Sequence, residues 1–330
     1  MKKENTNERQ SFRRDEGHMK KLIVGIILLS LLFTGGCIER QALENRAGEE
    51  LKTKDYEVTM KRDLLCLMMA YPQDMTGVEV GKDSLVYVVM KSGKRIVYDD
   101  KKTKSFDGKL NNADLQDMLE QQYPLTDIQK LMDENTDPGR ARVYGLLKEV
   151  YGGTKEQIEE NLKSVSAGGK NVVFNKNNGA STALAGAMKE IAALAQRKPS
   201  IYPFVYPVNG TYNYRVIAGT NQLSPHAFGT AVDLKRDDRD YWKWVSREEG
   251  QKRLDMYPRE VVQIFENHGF VWGGKWSHFD ILHYEYRPEL ILKAKYFSES
   301  PNLQKPWYDG VDYTDDRIKA YIEAIERVLQ

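Results

Sequence analysis

The chain has very little cysteine, only Cys37 and Cys66 in 330 residues. Two cysteines exclude a disulfide framework. It also lacks an excess of either charge: 49 Lys and Arg face 48 Asp and Glu, for a net charge of +1. This balance excludes the basic footprint of a nucleic-acid binder and argues against a polyanionic tail. Histidine is sparse, with 5 in all. The apolar run at residues 22–33 is about a dozen residues, too short for a spanning helix of about 20. What remains, 41% hydrophobic and 29% charged, is the composition of a folded globular protein rather than a disordered or collagen-like one. The length allows one large domain or two smaller ones.

The N-terminus reads as a targeting segment. Lys20 and Lys21 precede the apolar run Leu22 to Phe33, and Thr34-Gly35-Gly36-Cys37 follows. A charged start, an apolar centre and small residues at the end make a signal peptide, residues 19–37. The Gly-Gly-Cys ending resembles a bacterial lipoprotein signal, which implies lipidation of Cys37 and attachment of the exported protein to a membrane surface. Thr34 stands where such signals usually carry an aliphatic residue. Residues 1–18 are polar, and Asp15-Glu16-Gly17 must be encoded by GAY-GAR-GGN. This purine-rich stretch has the character of a translated ribosome-binding site and points to Met19 as the start. Residues 38–60 are charged and mixed, and read as a linker.

Residues 61–198 read as an α+β, mainly helical extension. Cys66 lies in the apolar run Leu64 to Met69 and is expected to be a buried thiol. Ser84–Met90, the turn signal Ser92-Gly93 and Arg95–Tyr98 predict a hairpin. From Ala113 to about Leu162 the pattern turns helical. It breaks at Asp137-Pro138-Gly139, read with Arg140 as a linking turn, and again at Gly152-Gly153 before Thr154, a fair N-cap. Asn171–Phe174 predicts a short strand and Ser181–Arg197 a helix. Internal repeats and low-complexity tracts are missing, and nothing specifies an oligomeric state.

Composition shifts after residue 199. Trp242, Trp244, Trp272 and Trp276 cluster there with His226, His268, His278 and His283. His226 and Asp233 are seven residues apart. A straight strand would hold them roughly 23 Å apart, and a helix about 10 Å. Ligands of one zinc ion, bonded at roughly 2.0–2.2 Å, lie within about 3.5 Å of each other. For both to bind one ion the chain must fold back, and Gly229 permits the bend. Ala231–Leu234 then reads as a strand. Apolar and β-prone neighbours put His283 on another strand, with Asp280 in the turn that enters it. His226, Asp233 and His283 thus form a candidate Zn2+ site. Three protein ligands leave a fourth position open, as in catalytic zinc, and water there has its pKa depressed toward about 7. Asp280 is the candidate general base and acid. Glu285, two residues beyond His283, is the alternative base or a support for that histidine. His268 is expected to end a helix that starts near Pro258, and His278 to be a bystander. Asp237, Asp238 and Asp240 read as a solvated loop rather than a second metal site.

The pattern Ser224-x-His226-x-x-Gly229-x-Ala231-x-Asp233, followed by Asp280-x-x-His283, resembles the zinc D-alanyl-D-alanine carboxypeptidase family, which also holds the L-alanyl-D-glutamate endopeptidases. Tyr214 to Thr220 and Gly269 to Trp276 belong to the same resemblance, which runs from about Tyr212 to Glu285. It implies an α+β fold with a small antiparallel sheet holding zinc, and a catalytic domain over residues 199–330. It implies His226, Asp233 and His283 as ligands and Asp280 as the catalytic carboxylate, where many members carry glutamate. Arg215 loosely matches an arginine that holds substrate or the developing oxyanion. Ser224, Trp272 and Trp276 are candidates to line the peptide groove. The implied partner is the peptidoglycan stem peptide, cleaved as an L-alanyl-D-glutamate endopeptidase or a D,D-carboxypeptidase would. The Trp-Gly-Gly stretch favours the former. A non-catalytic, zinc-containing wall-binding module is the alternative.

Overall fold

The computed structural model describes residues 49–330; the alternative start at Met19, the signal segment and Cys37 lie outside the described residues. Helix α1 (residues 49–70) takes in the end of the stretch read as a linker. Its apolar run is buried, and Cys66 within it is a free thiol with no exposed surface. Burial pushes that thiol well above its ordinary pKa. Strands β1 (Met75–Val80), β2 (Val86–Met90) and β3 (Arg95–Val97) form an antiparallel sheet in that order. The expected hairpin is β2–β3, with Gly93 at φ 85° in its turn. The short helices α2 (Phe106–Asn111) and α3 (Leu115–Glu120) follow. Asp114 and Asp117 form a capping box that starts α3.

The helical run expected from Ala113 to Leu162 breaks up further than its two turn signals indicated. After α3 the chain is irregular through residue 143. Helices α4 (Tyr144–Tyr151) and α5 (Lys155–Glu160) come next, the latter capped by Thr154 as expected. Leu162 then opens strand β4 (Leu162–Ala167), which pairs with β5 (Lys170–Asn175). Two causes explain the irregular stretch. Pro124 and Pro138 donate no backbone hydrogen bond. The carbonyls around them are claimed by distant side chains: Lys275 Nζ donates to Pro124 O at 2.6 Å, the Trp276 indole to Pro138 O at 2.7 Å, and Arg287 Nη1 to Gly139 O at 2.5 Å. The extension is therefore mixed, with two small antiparallel sheets among its helices.

The rest of the chain carries α6 (Ala180–Arg197), the single-turn α7 (Tyr202–Val205), β6 (Ala231–Asp233), α8 (Arg247–Met256), α9 (Arg259–Asn267), β7 (Phe270–Trp272), β8 (His283–Tyr286), α10 (Pro288–Tyr296) and α11 (Asp316–Val328). Among the described residues no helix is long and apolar enough to cross a membrane. Strands β6, β8 and β7 make a small antiparallel sheet with β8 in the middle. Alternation along the strands sorts its two faces. Tyr284 and its partner Trp272 look toward the core, where Phe265 of α9 stacks on Tyr284 at 4.1 Å and Tyr257 on Trp272 at 5.0 Å. Such ring pairs contribute about 0.5–1.5 kcal/mol each beyond the area they bury. Asp233, His283 and Glu285 occupy the other face.

Residues 58–330 form one compact unit, and buried polar contacts tie its early and late segments together. Glu266 accepts from Tyr123 at 2.5 Å and pairs with Lys275 at 2.6 Å. Asp63 pairs with Lys293 at 2.6 Å, and Tyr71 donates to Glu289 at 2.7 Å. The loop of Asp237, Asp238 and Asp240 is only partly solvated: Asp240 is fully buried, because Arg253 pairs with it at 2.7 Å.

Gly229 stands at φ 67°, and a Cβ there would lie 2.8 Å from Leu162 Cδ2 and 3.2 Å from the Asn175 nitrogen. Gly229→Ala is expected to cost about 1–2 kcal/mol through the left-handed backbone. Urea denaturation in the presence of a chelator measures this apart from any metal effect.

Candidate metal centre

Two of the three candidate ligands meet because of strand register. Asp233 at the end of β6 is directly opposite His283 at the start of β8, the closest cross-strand relation a sheet offers. His226 arrives from a 3-10 turn, Pro225–Phe228. Ser224 caps this turn, its Oγ accepting from the His226 nitrogen at 3.3 Å, and Gly229 ends it in the left-handed region. The tip of β5 holds the turn in place: the Asn175 amide donates to Phe228 O, and its backbone nitrogen to Gly229 O. The chain thus folds back between His226 and Asp233, as one shared ion requires.

The donor atoms converge. His226 Nε2 lies 3.3 Å from His283 Nδ1 and 3.2 Å from Asp233 Oδ1, and the last two are 2.9 Å apart. These separations fit donors each about 2 Å from one zinc ion. His226 Nδ1 is 2.6 Å from the Thr211 carbonyl, which fixes a proton on Nδ1 and leaves the Nε2 lone pair for a metal. On His283 the roles reverse: Nδ1 joins the cluster, and Nε2 faces Glu285 Oε2 at 4.0 Å. Two imidazoles and one carboxylate suit zinc as a donor set. A second acidic group, Asp99, Asp100 and Asp114, has a resident cation, since Lys104 Nζ reaches Asp100 at 3.1 Å and Asp114 at 2.8 Å.

Without a metal the charges lean on one another. Burial opposes ionisation of Asp233, yet the His226 and His283 imidazoles hold its carboxyl well below the usual range. Burial likewise disfavours a charged His283, but the Asp233 and Glu285 carboxylates push it up to about 10. Asp280 follows the β7 end, its nitrogen donating to Gly273 O at 3.0 Å and its carbonyl accepting from the His283 nitrogen at 3.1 Å. Burial pushes its carboxyl up to about 7, against the pull of His283 and His226 and with the help of Asp233. An acid so tuned can take and return a proton near neutrality.

The other candidate residues fall in several places. Both Glu285 oxygens are taken by Arg142, and although burial opposes its charge, this partner holds Glu285 well below the usual carboxylate range. A carboxylate so held is a poor base. Trp272 points into the core, its indole donating to Ile281 O at 2.7 Å, and does not line a groove. Ser224 is buried as the cap of the His226 turn. Trp276 borders the site, with its ring centre 5.7 Å from that of His283. Gly273 and Gly274 have packing reasons: a Cβ on Gly273 would come within 2.5 Å of Asp280 O, and one on Gly274 would run into the Trp272 ring. Arg215 is exposed on the loop before the first ligand. His268 closes α9 and bonds Glu190 at 2.9 Å. His278 is held by Asp137 at 2.5 Å, between Phe106 and Trp242.

Sequence reasoning missed Thr211, Arg142 and Tyr241. Thr211 acts through its carbonyl, which no residue type announces. Tyr241 pairs with Asp280 through the backbone. Burial and the Asp280 charge raise its phenol above the ordinary pKa, while the Arg140 and Arg215 guanidinia pull it back. Arg140 is itself paired with Asp137 at 2.8 Å.

Residues 218–286 match the family model of the D-alanyl-D-alanine carboxypeptidases. The match takes in His226, Asp233, Asp280 and His283, leaves out Arg215 and Arg142, and supports a zinc metallopeptidase. No curated protein and no solved structure matches the chain.

Metal and proton compete for His283. Its folded pKa is raised above the unfolded value of about 6.5, so its stabilisation of the metal-free protein is complete below that pH and is lost as pH rises through about 10. Zinc affinity is accordingly expected to rise from pH 6 to pH 9, by up to about tenfold per unit for one displaced proton. Chelator competition at several pH values checks this.

Proposed function

We propose that the chain is a zinc-dependent peptidase that hydrolyses amide bonds in peptidoglycan stem peptides. The convergence of His226 Nε2, Asp233 Oδ1 and His283 Nδ1 beside the half-buried Asp280 carries this reading. A ligand trio of this type, with a carboxyl group tuned near neutrality next to it, matches the needs of amide hydrolysis. Zinc, when bound by the trio, supplies Lewis acidity toward a carbonyl oxygen and lowers the pKa of water.

The chain's own groups do the rest. Asp280 accepts a proton from the attacking water and hands it to the departing amine nitrogen. The bond that breaks is C–N, the bond that forms is C–O, and the proton ends on nitrogen. Desolvation raises the proton affinity of Asp280 above that of an ordinary aspartate, which suits it to return the proton as well as to take it. Arg215, exposed on the loop before the first ligand, is the candidate to hold a substrate carboxylate or a carbonyl oxygen gaining charge. Trp276 borders the trio, its ring centre 5.7 Å from that of His283.

Within this class we place the chain with the L-alanyl-D-glutamate endopeptidases, and D,D-carboxypeptidase activity is the competing specificity. A non-catalytic wall-binding module remains the competing class; its trio would not require a tuned carboxyl beside it. The signal-like segment and Cys37 further motivate export and lipid attachment on the outer face of the cytoplasmic membrane, where the wall is met. The mass of the mature N-terminal peptide reads this directly.

Digestion of purified muropeptides followed by mass spectrometry separates the specificities. Release of the stem beyond its first alanine indicates the endopeptidase, and loss of one terminal alanine the carboxypeptidase. A chelator is expected to abolish turnover. Asp280→Asn is expected to lower kcat by about 10²–10⁴-fold while zinc content stays at one per chain. Full activity of that variant removes Asp280 from the mechanism, and wall binding without any turnover favours the module.

A further inference from the structure

Residues Asp137 to Arg142 lie outside the family-matched segment, yet they are fastened at successive points to that segment and to Arg287 just beyond it. Asp137 accepts from the His278 backbone nitrogen at 2.9 Å, Pro138 O from Trp276, and Gly139 O from Arg287. Arg142 reaches deepest. Its Nε donates to Glu285 Oε1 at 2.9 Å and its Nη2 to Oε2 at 2.6 Å, and Nη1 is tied to the Arg140 carbonyl at 2.9 Å. All three guanidinium nitrogens are engaged, so the planar fork has one orientation and imposes it on the carboxylate. Arg287 Nη1 stands by at 3.6 Å from Oε1. Both Arg142 and Glu285 are buried.

We propose that Arg142 is a positioning residue of the metal centre: it locks the Glu285 carboxylate opposite Nε2 of His283, so that this imidazole keeps its proton on Nε2 and presents Nδ1 to the ion. The oxygen that Nη2 holds, Oε2, is the one that faces His283 Nε2, at 4.0 Å. That distance is beyond a hydrogen bond, so the influence is electrostatic orientation. Partners of this kind behind a metal-bound histidine fix its tautomer and ring direction, and their loss typically weakens metal binding about 10–100-fold. On this account the early part of the chain belongs to the metal centre, because nothing within residues 218–286 replaces the fork: Arg287, the next guanidinium, lies outside the matched segment and is committed to Glu289 at 2.6 Å. The inference rests on the metal-site reading above.

Zinc dissociation constants of the full chain, measured by chelator competition, test it. Arg142→Met is expected to weaken zinc about 10–100-fold. Arg142→Lys, which keeps the charge but not the fork, is expected to fall between wild type and Arg142→Met. If Arg142 acts through Glu285, the double variant Arg142→Met/Glu285→Gln binds zinc no more weakly than Glu285→Gln alone. Wild-type affinity in Arg142→Met overturns the proposal, and so does a further tenfold loss in the double variant. Should Arg142→Met fail to fold, the comparison of Glu285→Gln with the double variant still decides, since neither leaves a carboxylate buried without a partner. A wild-type chain that binds no zinc overturns the metal-site reading together with this proposal, whereas zinc-binding wild type with an unaffected Arg142→Met overturns this proposal alone.

Discussion

A carboxylate and two imidazoles are held within 3.3 Å of one another where little water reaches, and much of the C-terminal architecture follows from that demand. Such a cluster is costly unless each charge has a partner. The register Asp233 opposite His283 supplies the first pair. The strand period of two then puts Glu285 on the same face, where it would repel Asp233 and Asp280 if left alone. Arg142 and Arg287 answer it. Asp233 and the two imidazoles are left as a donor set that suits a dication. The opposite face of the same three strands is aromatic and dry. A slip of one residue in β8 would exchange the two faces, sending Tyr284 into the site and His283 into the core. The register is therefore fixed from both sides.

The grouping of His226, Asp233 and His283 was legible in the sequence because its constraints are local and chemical. His226 and Asp233 cannot share an ion without a fold-back, and Gly229 was the residue able to provide it; it stands at φ 67°. The β-prone residues around His283 and the position of Asp280 in the turn before it were equally readable. The hairpin β2–β3, the strand β5, the helix α6 and the Thr154 cap were legible for the same reason, since each is written in contiguous residues. Aromatic residues were less readable. Trp272 and Trp276 are the same residue type four positions apart, but strand parity sends Trp272 to the core, and the 3-10 turn after it returns Trp276 to the border of His283.

What the sequence hid is long-range. A helical pattern from Ala113 onward gave way where prolines and distant partners competed. Between residues 121 and 143 the helix would have satisfied its own carbonyls, but Lys275, Trp276 and Arg287 satisfy them instead. Those donors lie well over a hundred residues away, so no window of the sequence displays the contest. Asp137-Pro138-Gly139-Arg140 has the look of a linking turn for the same reason. Its role as an anchor is visible only with the residues it touches: Asp137 on His278, Pro138 on Trp276, Gly139 on Arg287. Asp240 illustrates the converse, a residue that reads as solvated until Arg253 is found to pair with it in the interior.

The placement of Asp280 combines both kinds of constraint. An aspartate has one methylene fewer than a glutamate, so its backbone must come closer to whatever its carboxyl serves. Gly273 makes room for that approach: the Asp280 nitrogen bonds the Gly273 carbonyl at 3.0 Å, and any Cβ on Gly273 would press within 2.5 Å of the Asp280 carbonyl. Tyr241 pairs with Asp280 from the other side, so the residue is gripped between two backbones. The same grip strips away water, and the loss of water, more than any single neighbour, raises the carboxyl toward neutrality. The short side chain, the glycine beside it and the tuned proton affinity are thus one arrangement, and a bulkier residue at 273 would disturb all three together.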